Sequence, residues 1–161
     1  MTTGEYNQCV DNFSDGVYRF MLKNTKDTHL ASDLVQESFM KLWIKRKEVD
    51  FAKGKSYLFT TAYHTMIDYF RKNKKIVPIE NHNHNSQTLE NEYSDLQEVI
   101  DKAVEKLPDV QRSVLLLRDY EGYSYDEIGE MTGLSETQVK VYIYRARLFM
   151  KNYIVSPEYV V

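Results

Sequence analysis

Apolar residues recur at helical spacing along almost the entire chain, and this periodicity limits the fold more than any other feature. Glycine and proline, which interrupt helices, number only six and three. Three apolar stripes before residue 75 predict three helices around one small core, with Phe59, Tyr63 and Phe70 buried. The stripes are Tyr6, Val10, Phe13, Val17 and Phe20; Leu30, Leu34, Ser38 and Leu42 with Val35 and Phe39; and Leu58, Ala62, Met66 and Phe70 with Phe59, Tyr63 and Ile67.

The periodicity stops once, over a polar, asparagine-rich stretch at residues 76–94. It resumes at Leu96, Ile100, Ala103 and Leu107. The sequence therefore predicts an all-α chain of two small helical domains joined by a flexible linker. We expect a first domain of three to four helices at residues 1–76, a linker at 77–94, a second domain at 95–155 and a tail at 156–161.

Two helix starts lie close together in the second domain. Ser124 with Glu127, and Ser135 with Gln138, have the spacing of a capping box, in which the two side chains satisfy free backbone N–H groups. Gly133 lies between them and suits a tight turn. A short helix, a turn and a longer helix predict a helix-turn-helix motif, and a generic helical hairpin is the alternative.

Charge is distributed unevenly although the net charge is only -3. Residues 41–75 carry ten basic and three acidic side chains, residues 76–130 carry four and thirteen, and residues 131–161 carry four and two. Basic segments attract phosphate, whereas the acidic segment must avoid phosphate or face a basic partner.

Three polar faces follow from the helical spacing. On the last helix, apolar Val139, Ile143 and Ala146 point inward, and a basic and aromatic face suited to a major groove lies opposite. An aromatic and basic loop before the third helix, with the outer face of that helix, suits single-stranded nucleic acid. The second helix has an acidic outer face that suits a protein partner. The face of the last helix contains Glu136, Thr137, Lys140, Val141, Tyr144, Arg145 and Arg147. The loop and the third helix contribute Phe51, Lys53, Lys55, Tyr57, Thr60, His64, Asp68, Arg71, Lys72, Lys74 and Lys75. The face of the second helix contains Asp33, Gln36, Glu37 and Met40.

Three segments together resemble regions two and four of bacterial extracytoplasmic-function (ECF) sigma factors of the sigma-70 type. They are DLVQESFMKLW at 33–43, SYLFTTAYHTMIDYFRK at 56–72 and LPDVQRSVLLLRDYEGYSYDEIGEMTGLSETQVKVYIYRAR at 107–147. Their order and spacing also match, and the resemblance covers nearly the whole chain.

The resemblance implies promoter recognition and melting together with core RNA polymerase, and it implies three sets of residues. Those for docking on polymerase are Asp33, Gln36 and Glu37; those for the minus-ten element are Lys53, Lys55, Tyr57, His64, Asp68, Arg71 and Lys72; those for the minus-thirty-five element are Arg118, Tyr125, Asp126, Thr137, Lys140, Val141, Tyr144 and Arg145. The family also implies an anti-sigma partner.

The chain departs from the family pattern at two places. His64 stands where the family commonly has asparagine, although histidine can also donate and accept a hydrogen bond and can stack. Val141 and Tyr142 replace a pair that is usually more polar.

Two other functions remain open at this point. A helix-turn-helix regulator that does not bind core polymerase would share the second domain, and a small metalloprotein or enzyme could use His82 and His84 with Glu80 or Glu90. The sequence favours neither, and we expect no catalytic activity, no metal and no cofactor. A phosphate loop of the GxxxxGK type is missing from the sequence.

The sequence also favours the cytoplasm. We expect neither a secretory signal nor insertion in a membrane, because no apolar run reaches the roughly 20 residues of a membrane helix. The single cysteine, Cys9, is expected to be a small buried residue and fits a reducing compartment.

Overall fold

Helices form all the regular structure in residues 1–73 and 92–155, which are the residues that the computed structural model describes. Seven α-helices and two 3-10 turns occupy these ranges, and no strand is found there. The α-helices are α1 (Thr3–Thr25), α2 (Thr28–Lys45), α3 (Gly54–Asn73), α4 (Glu92–Glu105), α5 (Asp109–Asp119), α6 (Tyr125–Thr132) and α7 (Glu136–Val155). The predicted all-α class is confirmed. Most of the predicted linker, and the tail at 156–161, lie outside the described residues.

The first three helices pack on one another as their apolar stripes predict. Phe20, Leu42, Leu58 and Phe59 are almost completely buried between them, as is Cys9. Tyr63 is also buried, whereas Phe70 is only half-buried. Phe70 belongs to the last turns of α3, where it packs at the edge of the core and also lines a groove beside the end of α1.

The prediction of a loop around residues 53–57 is wrong. A 3-10 turn at Phe51–Lys53 leads directly into α3, so Lys55 and Tyr57 lie in the first turn of that helix. Gly54 permits close packing here, because a Cβ at this position would lie 2.7 Å from the Sγ atom of Cys9. The lack of a side chain at Gly54 therefore allows the start of α3 to pack closely against α1.

Both predicted capping boxes are present and set the two helices of the helix-turn-helix motif. The Ser124 hydroxyl accepts a hydrogen bond from the Glu127 amide at 3.1 Å, and the Glu127 carboxylate accepts one from the Ser124 amide at 2.9 Å. Ser135 and Gln138 make the same pair of contacts, each at 3.1 Å. Between the boxes, α6 ends at Gly133, which has a φ of 79° that favours glycine.

A close backbone approach holds α6 against the turn. A Cβ on Gly129, in the middle of α6, would lie 2.9 Å from the carbonyl oxygen of Leu134. Because backbone cannot yield as a flexible side chain can, we expect Gly129→Ala to lower the free energy of unfolding by about 1–3 kcal/mol. Thermal or denaturant unfolding measures this change.

Gly16→Ala is the matched control for that prediction. Gly16 is also helical, but a Cβ there would meet Phe59 and Arg19 at an ordinary 3.7 Å. The better helix propensity of alanine should raise stability by up to about 1 kcal/mol. Equal stabilities of the two variants would contradict the close approach at Gly129.

The two halves of the chain also pack against each other. Helices α1 and α3 contact elements of the second half, including α4, α5 and α6. Asn24 at the end of α1 is hydrogen-bonded to Arg112 and Ser113 of α5, and the Phe59 ring of α3 meets the Tyr123 ring with centroids 6.0 Å apart. Two helical units therefore share one interface.

Candidate nucleic-acid and polymerase interfaces

Helix α7 presents a basic and aromatic face to solvent. Val139, Ile143 and Ala146 are buried beneath it, as the helical spacing predicts. The opposite face is open, with Tyr144 exposed to 67%. The predicted residues Thr137, Lys140, Val141, Tyr144 and Arg145 are all exposed on this helix. The α7 face is therefore open to solvent along the predicted residues.

Arg118 and Tyr125 support this face instead of extending freely from it. The Arg118 guanidinium donates to the carbonyl of Tyr123 at 3.0 Å and lies 4.5 Å from the centre of the Tyr125 ring. The Lys140 ammonium lies 5.7 Å from the same ring. The stack of Arg118, Tyr125 and Lys140 thus ties the end of α5 and the start of α6 to α7, and Asp126 is exposed beside it.

Arg147 differs from the other basic residues of α7 because it is bound to Asp119. Its guanidinium donates to both carboxylate oxygens of that residue, one of them at 3.2 Å. Hydrogen bonds with Asp119 raise the pKa of Arg147. This bidentate pair fixes α7 to the end of α5, so Arg147 serves the fold as well as the charge of the surface.

The candidate surface for single-stranded nucleic acid is only partly open. Lys53, His64, Asp68, Arg71 and Lys72 are exposed, and Asp68 pairs with Arg71 at 2.9 Å. By contrast, Lys55 and Tyr57 are half-buried. The Lys55 ammonium lies 5.7 Å from the ring centre of Tyr123, which belongs to the second half. The structure therefore places the predicted residues on α3 and on the 3-10 turn before it, and half-buries those in the first turn of the helix.

His64 lies on the open part of this surface. Its imidazole contacts the ring of Tyr63 edge-on, with the ring centres 5.1 Å apart. Tyr63 is buried and thus gives the exposed imidazole a fixed support. A supported, exposed aromatic ring is what stacking on an unpaired base requires.

The acidic stripe on α2 is exposed and continues into apolar surface. Asp33, Gln36 and Glu37 are exposed, and the Glu37 carboxylate lies 3.8 Å from the Lys41 ammonium. Next along the same face, Met40 and Ile44 are exposed to 60% and 67%. An exposed apolar patch with charges beside it is typical of a protein-binding surface.

Ile44 and Trp43 were missed by the sequence reasoning. Trp43 is 37% exposed, and the Arg46 guanidinium lies over its ring at 3.7 Å from the centre. The helical period from Asp33 through Gln36, Glu37 and Met40 leads directly to residue 44, so this spacing could have found Ile44.

The described residues offer nothing toward a metal centre. Among residues 1–73 and 92–155, no group of three or more histidine, cysteine or acidic side chains is placed to hold a metal ion. The histidines considered for that role, His82 and His84, and the acids Glu80 and Glu90 lie outside those ranges. Within the same ranges, no helix is both long and apolar enough to cross a membrane.

Comparison with known proteins identifies the class of the two units. The family model described as sigma-70 region 2 matches residues 9–76, and the model described as sigma-70, region 4 matches residues 97–150. The chain thus carries both regions: region 2 contains the α2 and α3 surfaces, and region 4 contains the helix-turn-helix.

Curated relatives from Bacillus subtilis (strain 168) narrow the class. The ECF RNA polymerase sigma factor SigM is 35% identical over 144 residues, which cover 86% of this chain and 88% of SigM. The RNA polymerase sigma factor SigV is 30% identical, with coverage of 89% of this chain and 87% of SigV. The chain belongs to the extracytoplasmic-function family of RNA polymerase sigma factors, as its motifs predict. A regulator with the second domain alone is not favoured, because the first domain matches as well.

A solved structure has the same fold. The sigma factor RpoE from Bartonella quintana, crystallised in complex with the anti-sigma factor NepR, superposes with a TM-score of 0.72. The match covers 94% of this chain and 98% of that one, at 24% sequence identity. The architecture of two helical domains is therefore confirmed.

Proposed function

We propose that the chain recognises promoters through three separate surfaces, each formed by the residues that the motifs indicate. Residues 1–76 bind core polymerase and the minus-ten element, residues 95–155 bind the minus-thirty-five element, and residues 77–94 join them. The observation that carries the proposal is the open face of α7 above buried Val139 and Ile143, in the same chain as the exposed stripe of α2.

Helix α7 reads the upstream duplex in this proposal. Lys140 and Arg145 contact phosphates, while Thr137, Val141 and Tyr144 lie within reach of base edges. Arg118, Tyr125 and Asp126 form the flank at the start of α6. The Lys140 ammonium lies 5.7 Å from the Tyr125 ring, so Lys140 and this flank belong to one surface.

The first domain captures the unpaired strand. Lys53, Lys55, Arg71 and Lys72 supply positive charge along the strand, and Tyr57 and His64 supply rings on which bases stack; Asp68 orients Arg71 through their ion pair. Melting costs a few kcal/mol for each unstacked step, which captured bases and polymerase contacts must offset.

Helix α2 binds core polymerase in this proposal. Asp33, Gln36 and Glu37 provide polar and acidic contacts, and the adjoining Met40 and Ile44 provide apolar area. Carboxylates at such a surface favour a partner with basic residues and give specificity and a fast association rate. The clamp helices of the polymerase largest subunit are the proposed partner.

The proposal requires no catalytic group, cofactor, metal or small-molecule substrate in the chain itself. The chemistry of transcription belongs to polymerase, and the sigma factor contributes binding energy at promoter and core. Because core polymerase and the chromosome lie in the cytoplasm, the proposed site of action is the cytoplasm. An anti-sigma factor is a further proposed partner, supported by the family and by the complex in which RpoE was solved.

Run-off transcription by core polymerase tests the proposal. Transcripts that depend on the added protein support it. Binding to duplex DNA without transcripts and without core binding would instead favour a stand-alone regulator.

A further inference from the structure

One lysine of α2 is hydrogen-bonded to the helix that carries the candidate surface for single-stranded DNA. The Lys41 ammonium donates to the hydroxyl of Thr65 on α3 at 2.9 Å, although the two residues are 24 positions apart. Thr65 is only 6% exposed, so its place in the packing of α2 against α3 is fixed. The long side chain of Lys41, which is flexible when it is unattached, is thus held at one place on the surface.

The hydrogen bond with Thr65 leaves most of the Lys41 ammonium open. A lysine ammonium has three N–H donors, and Thr65 accepts from one of them. The Glu37 carboxylate, one turn earlier on α2, lies 3.8 Å from the ammonium, which is longer than a hydrogen bond. The Lys41 side chain is 45% exposed, and an exposed ion pair at this distance is weak. The charge of Lys41 is therefore fixed in position but still able to bind an anion.

Lys41 lies at the border between two candidate surfaces. On α2 it follows Glu37 by one turn, at the edge of the stripe that is proposed to bind polymerase. On α3 its partner Thr65 directly follows His64, so the two side chains are about 100° apart around the helix. Lys72, two turns after Thr65 on the same side of α3, is also exposed. The exposed imidazole of His64 is thus bordered by lysines on the side of α3 that faces α2.

This border has the two kinds of contact that an unpaired DNA strand needs. Proteins bind single strands with aromatic rings on which bases stack and with cations that follow the sugar–phosphate backbone. His64 supplies the ring, supported by buried Tyr63 at 5.1 Å between ring centres. The phosphates on either side of a base stacked there lie beside the imidazole, on the strip of surface that Lys41 borders. The basic segment of the sequence, residues 41–75, begins at this lysine.

Two other roles for Lys41 explain less of this geometry. A lysine that only paired with Glu37 would need no hydrogen bond to α3, and so exposed a pair adds little stability. A lysine in the polymerase contact would bring positive charge to a stripe whose carboxylates are proposed to meet basic groups, and like charges in an interface repel. Contact with a phosphate uses both the charge of Lys41 and its fixed position.

We propose that Lys41 is a further DNA-binding residue: it contacts a backbone phosphate of the unpaired minus-ten strand, next to the base that stacks on His64, and Thr65 positions it. The inference rests on the proposed function, because it takes α3 as the surface for that strand. It adds a residue of α2 that none of the three sets implied by the motifs contains. It also assigns Lys41 to DNA, although the residue lies beside the stripe for polymerase.

Lys41→Gln, in the full chain bound to core polymerase, tests the assignment. The probe is a single-stranded oligonucleotide with the non-template sequence of the downstream element that run-off transcription identifies. Loss of one phosphate contact should weaken binding about fivefold at moderate salt and reduce the slope of log affinity against log salt by about 0.7. The loss should be equal for oligonucleotides in which single bases are exchanged, because phosphates carry no sequence information. Lys41→Arg should recover most of the lost affinity, because a guanidinium also binds phosphate.

Two further variants separate the charge of Lys41 from its position. Thr65→Val keeps the shape of the buried side chain and the charge of Lys41 but removes the acceptor that holds the ammonium. Affinity for the oligonucleotide should fall about threefold while the salt slope stays the same. Lys106→Gln is the matched control, since it removes an exposed ammonium from the second domain, and the probe has no minus-thirty-five element. It should leave both affinity and slope unchanged.

Core affinity, measured without DNA, should not fall in Lys41→Gln, because the lost charge has the same sign as the proposed partner of α2. A parallel fall in core affinity and strand binding would overturn the inference. A salt slope that changes no more than in Lys106→Gln, or a loss that depends on the base sequence, would overturn it as well. Failure of the proposed function looks different, since the wild-type chain would then yield no start sites. Thermal unfolding verifies that each variant is folded.

Discussion

Replacement of both Lys140 and Arg145 with alanine is expected to weaken binding to the minus-thirty-five duplex by about tenfold or more at moderate salt. Both side chains are exposed on α7, above a buried apolar row that the substitutions leave untouched. The ion pair of Lys140 with Glu136, at 3.5 Å, is exposed and contributes little to the fold. The loss should therefore appear mainly in DNA binding, with only a small change in stability from the exposed contact of Lys140 with the Tyr125 ring.

The salt dependence gives this experiment its sharper readout. Each phosphate contact contributes about 0.9 to the slope of log affinity against log salt, so removal of two contacts should reduce the slope by about 2. Lys102→Ala with Lys106→Ala is the matched control, since it removes two exposed charges of the same domain that are not part of α7. If both pairs changed the slope equally, the placement of the recognition helix would be wrong.

The second large effect is expected on polymerase binding. Asp33→Ala with Glu37→Ala should lower the affinity for core polymerase by about tenfold, because both carboxylates lie on the exposed stripe of α2 beside an apolar patch. Equilibrium binding to core, in the absence of DNA, measures the change. Transcription should fall with core affinity, while binding of the free protein to duplex DNA should stay the same.

An equal change of charge elsewhere on the first domain separates docking from general electrostatics. Asp11→Ala with Asp15→Ala removes two exposed carboxylates from α1 and should leave core affinity within about twofold of the wild type. All four acids are exposed, so the melting temperature should change little in either variant. Normal core affinity after loss of Asp33 and Glu37 would remove the docking assignment.

The sequence predicted those features that depend on local spacing. The capping boxes at Ser124 and Ser135 set the starts of α6 and α7, because each box needs only four consecutive residues. Burial of Val139 and Ile143 followed from the helical period in the same way. The faces of single helices could therefore be assigned before their packing was known.

The features that the sequence did not predict depend on contacts between distant residues. Asn24 and Ser113 are 89 positions apart, and neither belongs to an apolar stripe whose period would bring them together. Lys55 and Tyr57, which the sequence had placed in an open loop, are half-buried at the start of α3. Helical spacing predicted that Arg147 lies on the free basic face of α7. Its guanidinium instead donates hydrogen bonds to Asp119, which is 28 positions away in the sequence.

Run-off transcription tests the central claim most directly. Core polymerase without any other sigma factor is combined with the purified chain and a library of promoter fragments, and the transcripts are sequenced. The account predicts discrete start sites that appear only with the chain, downstream of two shared sequence elements at a fixed separation. The transcripts from these sites should become weaker when the variant of Lys140 and Arg145, or the variant of Asp33 and Glu37, replaces the wild-type chain. Transcripts that are absent or unaffected by the chain, while it binds duplex DNA normally, would contradict the account.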